Sequence, residues 1–413
     1  MFYVYLISAT PTIVRFTHQS ANFEQSMLAV GFSILRYDEL VVENETYESS
    51  LSWVNHTLRW WNIIQQQGIC PRTLKNLIKI THSPSYMNFG RFYMQQKYRQ
   101  AGEELSEYPH GIEPKPAVAV IANAMINLDG EVYNETYFFE GKCGTCKPSR
   151  QQFFFSSSPQ TYRKVITIAG FWGQGYFHFM HENFIRLPLV FSILDQDPVM
   201  KVHSHQGKTF MSELLAMFQI KQDRIVSGLV RADLAFVPEQ IACGRPPANL
   251  LLLMQKSILQ RNSVLFQNRL TRSKRQILIV KRKGTREIRN HDEIVTKFRK
   301  SFKGYNVLVH TGHESVENQL ILFRSSDVII APHGAGLSNI VVCRQHTLIF
   351  ELLTDKPMPN LCYTGIALKL KLLYVGHTIP HFDHSKTITV NSDSLITVLK
   401  QLMWFKMKFD DYS

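Results

Sequence analysis

The chain has no long hydrophobic run. Nowhere among its 413 residues are there the roughly 18–20 consecutive apolar residues that a membrane-spanning helix needs. The nearest approach, "MFYVYLISATPTIV" at residues 1–14, lacks the basic n-region of a signal peptide. It reads as a truncated signal anchor, a weak signal peptide or a strand. The expectation is a missing or shortened targeting segment. Cysteine is also scarce, with six residues: Cys70, Cys143, Cys146, Cys243, Cys343 and Cys362. "CGTC" at 143–146 has no second close pair to complete a four-cysteine zinc site, and no thioredoxin-type strand-to-helix turn surrounds it. A structural disulfide or inert thiols are expected instead. Acids fall short of bases, 33 against 46, for a net charge of +13. That surface attracts anions: nucleic acid, acidic membrane or phosphorylated small molecules. There is no internal repeat and no low-complexity tract, which argues against a solenoid or an array.

What is present suits a globular protein of two domains. Hydrophobic residues make up 45% and aromatics 12%, so a sizeable core can form. Asn44-Glu45-Thr46, Asn55-His56-Thr57 and Asn134-Glu135-Thr136 are acceptor triplets for N-glycosylation, which favours a lumenal or secreted chain. Residues 1–160 read as an aromatic, irregular region, with Pro109, Pro114 and Pro116 marking loops.

From 164 onward strands and helices alternate. The pattern predicts strands at 164–170, 232–238, 276–282, 305–310, 327–332 and 347–352. It predicts helices at 176–194 (interrupted by Pro188), 209–220, 248–265, 291–302, 314–326 and 335–343. The helix at 248–265 is a candidate link between two domains. Such alternation predicts a parallel, doubly wound sheet, with ligands at the carboxyl ends of its strands.

Three stretches carry chemistry. In "VIIAPHGAGLSNIV" (328–341), His333, Gly334, Ala335, Gly336 and Leu337 stand where a buried strand gives way to a helix. Glycine permits close backbone approach, and free helix-start amides favour an anion such as a diphosphate. The plainer alternative is a tight turn with a histidine cap. "IVKRKGTREIRN" (279–290) offers Arg282 and Arg286 at another strand end, where arginines can neutralise a diphosphate; otherwise it is a solvated basic loop or a nucleic-acid patch. It has no interleaved aromatics for base stacking. In "GQGYFHFMHENFIRL" (173–187), His178 and Glu182 share a helix face, and either can take a proton from an acceptor hydroxyl. Glu182 is equally spaced from Arg186, so a surface ion pair is the competing reading. "HFDH" (381–384) is a weak metal candidate, and "HSH" (203–205) reads as surface residues of a strand.

These stretches, with "YTGIALKLKLLYVG" (363–376), resemble in this order glycosyltransferase family 61, which includes β1,2-xylosyltransferases and an EGF-domain-specific O-linked N-acetylglucosamine transferase. The resemblance spans residues 160–376. It implies a GT-B-like α/β fold, with two Rossmann-like domains facing across a cleft. Residues 1–160 would contribute to the acceptor domain, 161–245 would be the acceptor-side domain, 246–400 the donor domain and 401–413 a tail. The implied reaction is inverting transfer, forming a β-linkage, of a sugar (xylose or N-acetylglucosamine) from a UDP-sugar to a hydroxyl of a glycoprotein or glycan. By the same resemblance His333–Leu337, Arg282 and Arg286 would hold the donor phosphates, and Glu351 would meet the ribose hydroxyls. The sequence departs from the family at Gly175-Tyr176-Phe177, where an asparagine commonly leads, and at His181-Glu182-Asn183, leaving the base open between His178 and Glu182. No permanently bound cofactor is implied, and no essential divalent metal. The implied location is the Golgi or endoplasmic reticulum lumen, with a single-pass anchor absent here. The competing classes are a basic nucleic-acid-binding protein on a Rossmann-like core, and an inactive family member acting as a glycan-binding module.

Overall fold

The computed structural model describes residues 117–133, 138–139, 159–241, 243–267, 275–353, 360, 362–379 and 387–412, with short strands at 2–6, 12–16 and 32–36. The glycosylation triplets, Cys70, "CGTC" and "HFDH" lie outside the described residues. Among those described, residues up to Leu250 form one compact unit and those from Leu251 form a second. The division falls inside the helix Ala248–Arg261. No described helix is long and apolar enough to cross a membrane.

The first unit holds one mixed sheet. Its strands are β1 (Phe2–Leu6), β2 (Thr12–Phe16), β3 (Phe32–Arg36), β4 (Ala117–Ile126), β5 (Val132–Tyr133), β6 (Phe138–Phe139), β7 (Gln160–Thr167), β8 (Lys201–His203), β9 (Ile225–Val226) and β10 (Val230–Pro238). The path runs β2-β1-β3-β4-β10-β7-β8-β9. From β10 to β9 the neighbours are parallel, and β4 joins β10 antiparallel. The sequence reading missed β4 inside a region expected to be irregular. Its run AVAVIANAMI is buried on both faces from Val118 to Ala122, so it lacks the alternation that marks a half-buried strand.

One expectation fails in this unit. "HSH" is no surface strand: His203, Ser204 and His205 are 0%, 1% and 2% exposed. The rings are satisfied internally. His203 Nδ1 meets Thr167 Oγ1 at 3.0 Å and its Nε2 meets Gly228 O at 2.9 Å. His205 Nε2 meets Gly170 O at 2.6 Å.

The second unit is a five-stranded parallel sheet of β11 (Arg275–Val280), β12 (Tyr305–His310), β13 (Val328–Pro332), β14 (Leu348–Leu353) and β15 (Leu373–Thr378), in the order β12-β11-β13-β14-β15. Every neighbouring pair is parallel. This is the flavodoxin-like doubly wound order, and its switch point lies between β11 and β13, where ligands bind beyond the strand ends. All five residues of β13 and all six of β14 are buried. Ile277, Ile330 and Phe350 of the sheet pack with Phe298 and Leu399 of the flanking helices. Each such side chain contributes about 1.5–3 kcal/mol of burial. The strands and helices expected over 276–352 are present within a few residues, with one change of type. Ala335–Val342 is a 3₁₀ helix.

Candidate active site

At the switch point the ends of β11 and β13 interlock. Arg282 follows β11 and donates from Nη1 to His333 O at 3.3 Å, while its Nε donates to Thr285 O at 3.1 Å. Its guanidinium lies against Gly334. A Cβ at that glycine, whose φ is +151°, would stand 1.4 Å from Arg282 Nη1. A side chain there would have to push the guanidinium aside and would hold a backbone at φ +151°, which L residues rarely adopt. Gly336 is less constrained, with an added Cβ 3.1 Å from Val280 Cγ1.

Arg286 sits in a left-handed turn at φ +57°. Its Nε is buried, with no hydrogen-bond partner among the described residues. Burial lowers the pKa of both Arg282 and Arg286, and the charge of Arg286 lowers Arg282 further. Neither forms an ion pair among the described residues. Two desolvated cations side by side form an anion site by electrostatics alone.

The 3₁₀ geometry corrects part of the expected amide cradle. It closes hydrogen bonds one residue sooner than an α-helix, and Leu337 N–H is spent on Gly334 O at 2.9 Å. Leu337 itself is 0% exposed and belongs to the core. Exposed Ala335 and half-exposed Gly336 begin the helix on the ligand side.

Glu351 also departs from its expected role. It is 0% exposed, and both carboxylate oxygens are engaged. His333 Nδ1 meets Oε1 at 2.5 Å and Tyr374 Oη donates to Oε2 at 2.6 Å. A ribose has no access to it. The pairing of β13 with β14 sets Glu351 opposite Ala331, two residues before His333, and so fixes the imidazole. Tyr363 packs edge-on against that ring at 5.4 Å between centroids. Burial raises the Tyr363 and Tyr374 hydroxyls well above the ordinary tyrosine pKa, so both stay protonated.

The sequence reading passed over His310, at the end of β12. Its Nδ1 meets Glu314 Oε2 at 2.9 Å, and its Nε2 lies 3.9 Å from a Cβ built on Gly336. Glu314 also accepts the amides of Thr311 and Gly312; burial pushes its pKa up, but backbone bonds at Thr311 and Glu314 and the charge of His310 outweigh it and lower the pKa to about 2. The sequence signal was a histidine ending a strand with a glutamate four residues on.

The first unit presents the other pair. His178 and Glu182 lie on a helical run whose middle, Phe179–Asn183, is a π-helix, followed by a 3₁₀ segment, Phe184–Val190, that contains Pro188. Wide π turns recur at functional sites. His178 Nδ1 meets Glu182 Oε2 at 2.9 Å, and Glu182 Oε1 accepts the Gly244 amide at 2.7 Å. Glu182 is 5% exposed, while the His178 side chain is 31% exposed. A carboxylate on Nδ1 fixes the tautomer and leaves Nε2 with its lone pair.

The competing surface pair between Glu182 and Arg186 is not formed. Arg186 is 1% exposed and donates instead to the carbonyls of Ala169, Pro238 and Glu239. Burial lowers its pKa to about 9.

His178, Glu182 and Cys243 bring ligand-type atoms within 4.8 Å of one another. Cys243 is disulfide-bonded, so its sulfur is not the thiolate a metal takes. Among the described cysteines Cys343 and Cys362 form no disulfide.

No curated protein matches the chain. Residues 176–350 match the family model described as Glycosyltransferase 61. The matched span runs from the helical segment of His178 and Glu182 to the residue before Glu351, taking in the loops of Arg282 and His333 and leaving out 363–376. Residues 176–350 carry the match to glycosyltransferase family 61, and that match supports membership of the family and glycosyltransferase activity.

Proposed function

We propose that the chain is a GT-B-like inverting glycosyltransferase that uses a UDP-sugar and forms a β-linkage to a hydroxyl of a glycoprotein or glycan. The observation that carries the donor assignment is the pair of desolvated arginines at the switch point, one folded over Gly334 and the other with a buried Nε that has no partner among the described residues. A diphosphate supplies the two negative charges that this pair lacks. Arg282, Arg286, the amides of Ala335 and Gly336, and His333 hold it. These groups carry the charge that builds on the leaving UDP, without an essential metal.

In the reaction, the acceptor oxygen attacks C1 of the sugar, and the C1–oxygen bond to the diphosphate breaks, with its electron pair leaving on UDP. The hydroxyl proton passes to His178 Nε2. Glu182 holds the imidazole through Nδ1 and stabilises the imidazolium that forms. Xylose and N-acetylglucosamine remain the sugars implied by the resemblance. The three glycosylation triplets and the disulfide at Cys243 support a Golgi or endoplasmic reticulum lumen.

The donor assignment is tested with Arg282→Ala. Its affinity for UDP, by titration calorimetry, is expected to fall about 10- to 100-fold, since a charge-assisted hydrogen bond is worth roughly 1.5–3 kcal/mol. Affinity for uridine should stay nearly unchanged. An equal loss for both ligands would overturn the phosphate reading.

A further inference from the structure

The segment between β7 and the helical run, "GFWGQGY" (170–176), exposes two large aromatics. Phe171 is 37% and Trp172 50% exposed, and their rings meet edge to face at 4.8 Å. Two adjacent exposed aromatics form a small contiguous apolar surface, the kind of feature a ligand can cover.

This exposure is built in by the loop. Two consecutive turns close it, Gly173 N–H to Gly170 O at 2.8 Å and Gly175 N–H to Trp172 O at 2.9 Å. His205 grips Gly170 O from β8's side. A Cβ at Gly173 would stand 2.2 Å from both Asn183 Nδ2 and His205 Cδ2, so the backbone is pressed onto buried groups and the indole is held outward.

The position matters as much as the exposure. The Trp172 and His178 rings are 6.1 Å apart and inclined by only 34°. A sugar ring presents a face of C–H groups to an aromatic π-face and keeps its hydroxyls at its rim. One ring lying on this indole can bring a rim hydroxyl to the imidazole. A serine or threonine side chain has no such face.

We infer that Trp172, supported by Phe171, is a stacking platform for a sugar ring of the acceptor, so the acceptor hydroxyl belongs to a saccharide rather than to an unmodified protein side chain. This rests on the assignment of His178 as the base. It narrows the acceptor class that the assignment left open.

The test is saturation-transfer NMR on the full chain with saturating UDP present. The probes are the methyl β-glycosides of N-acetylglucosamine, xylose, mannose and galactose, and a serine- and threonine-rich peptide. At least one glycoside should receive saturation on its ring protons. Trp172→Ala should weaken that binding about tenfold or more, the scale of one aromatic contact. Trp172→Phe should stay within a few-fold of wild type. No glycoside binding, equal binding by Trp172→Ala, or Trp172-dependent binding of the peptide alone would each overturn the platform. If His178→Ala keeps its turnover while Trp172→Ala loses the glycoside, the base assignment fails and Trp172 is left as a sugar-binding surface that no longer places the reacting hydroxyl.

Discussion

His178 and Glu182 differ in what each has left to offer a substrate. Glu182 is buried and has committed one oxygen to His178 and the other to the Gly244 amide. His178 is the more exposed partner and has committed only Nδ1. The two variants should therefore separate. His178→Ala is expected to lose turnover by about 10²–10⁴-fold, the usual worth of a positioned base, with UDP affinity unchanged by calorimetry. Glu182→Gln keeps a hydrogen-bonding side chain on Nδ1 and should lose less, although the imidazolium loses its counter-charge. A larger loss from Glu182→Gln than from His178→Ala would exchange the roles. The glycines separate in the same way. Gly334→Ala puts a methyl into the Arg282 guanidinium at a positive φ, whereas Gly336→Ala asks Val280 to give by a few tenths of an ångström. UDP affinity should collapse in the first and change little in the second, and equal affinities would show that the Arg282 contact is incidental to binding.

The elements explain why some of this was legible in the sequence. β11, β13 and β14 are short apolar runs closed by turn chemistry, and the parallel order follows from their alternation with helices. That places Arg282 and His333 at strand ends, and the structure sets those ends side by side. The helical run 176–196 was legible as helix but not as π and 3₁₀ turns, because winding depends on which carbonyls tertiary neighbours leave unpaired. Arg186 is the case in point. By spacing it belongs beside Glu182, yet it spans the carbonyls of Ala169, Pro238 and Glu239, tying this run to the ends of β7 and β10. A lysine or methionine cannot serve three carbonyls at once. Arg186→Lys and Arg186→Met are each expected to destabilise by about 2–4 kcal/mol, from buried acceptors left unpaired. Thermal melts should fall by several degrees, and a melting point equal to wild type would show that the carbonyls find other partners.

At the scale of the whole molecule, the histidines set the response to acid. The sequence counts 16 histidines but cannot say which are buried, and the misreading of "HSH" came from that. His203 is 0% exposed, and burial lowers its pKa from 6.5 to about 4. Burial likewise lowers His291, His310 and His377. A histidine that stays neutral in the fold but takes a proton when unfolded makes the unfolded state the better proton binder. Stability is then flat above the unfolded pKa near 6.5, falls as pH drops below it, and levels for His203 near 4, where the folded ring also charges. The full window for His203 is worth ~3 kcal/mol by linkage. Glu314, held near 2, adds a further loss only below the ordinary carboxylate range, so the interval between pH 7.5 and 5.5 isolates the histidines. Urea unfolding of the wild type should show a lower midpoint at pH 5.5 than at 7.5. His203→Gln cannot take the proton and should show a smaller difference between the two pH values. Equal midpoints for the wild type would mean that the buried rings take up protons in the fold as readily as in the open chain.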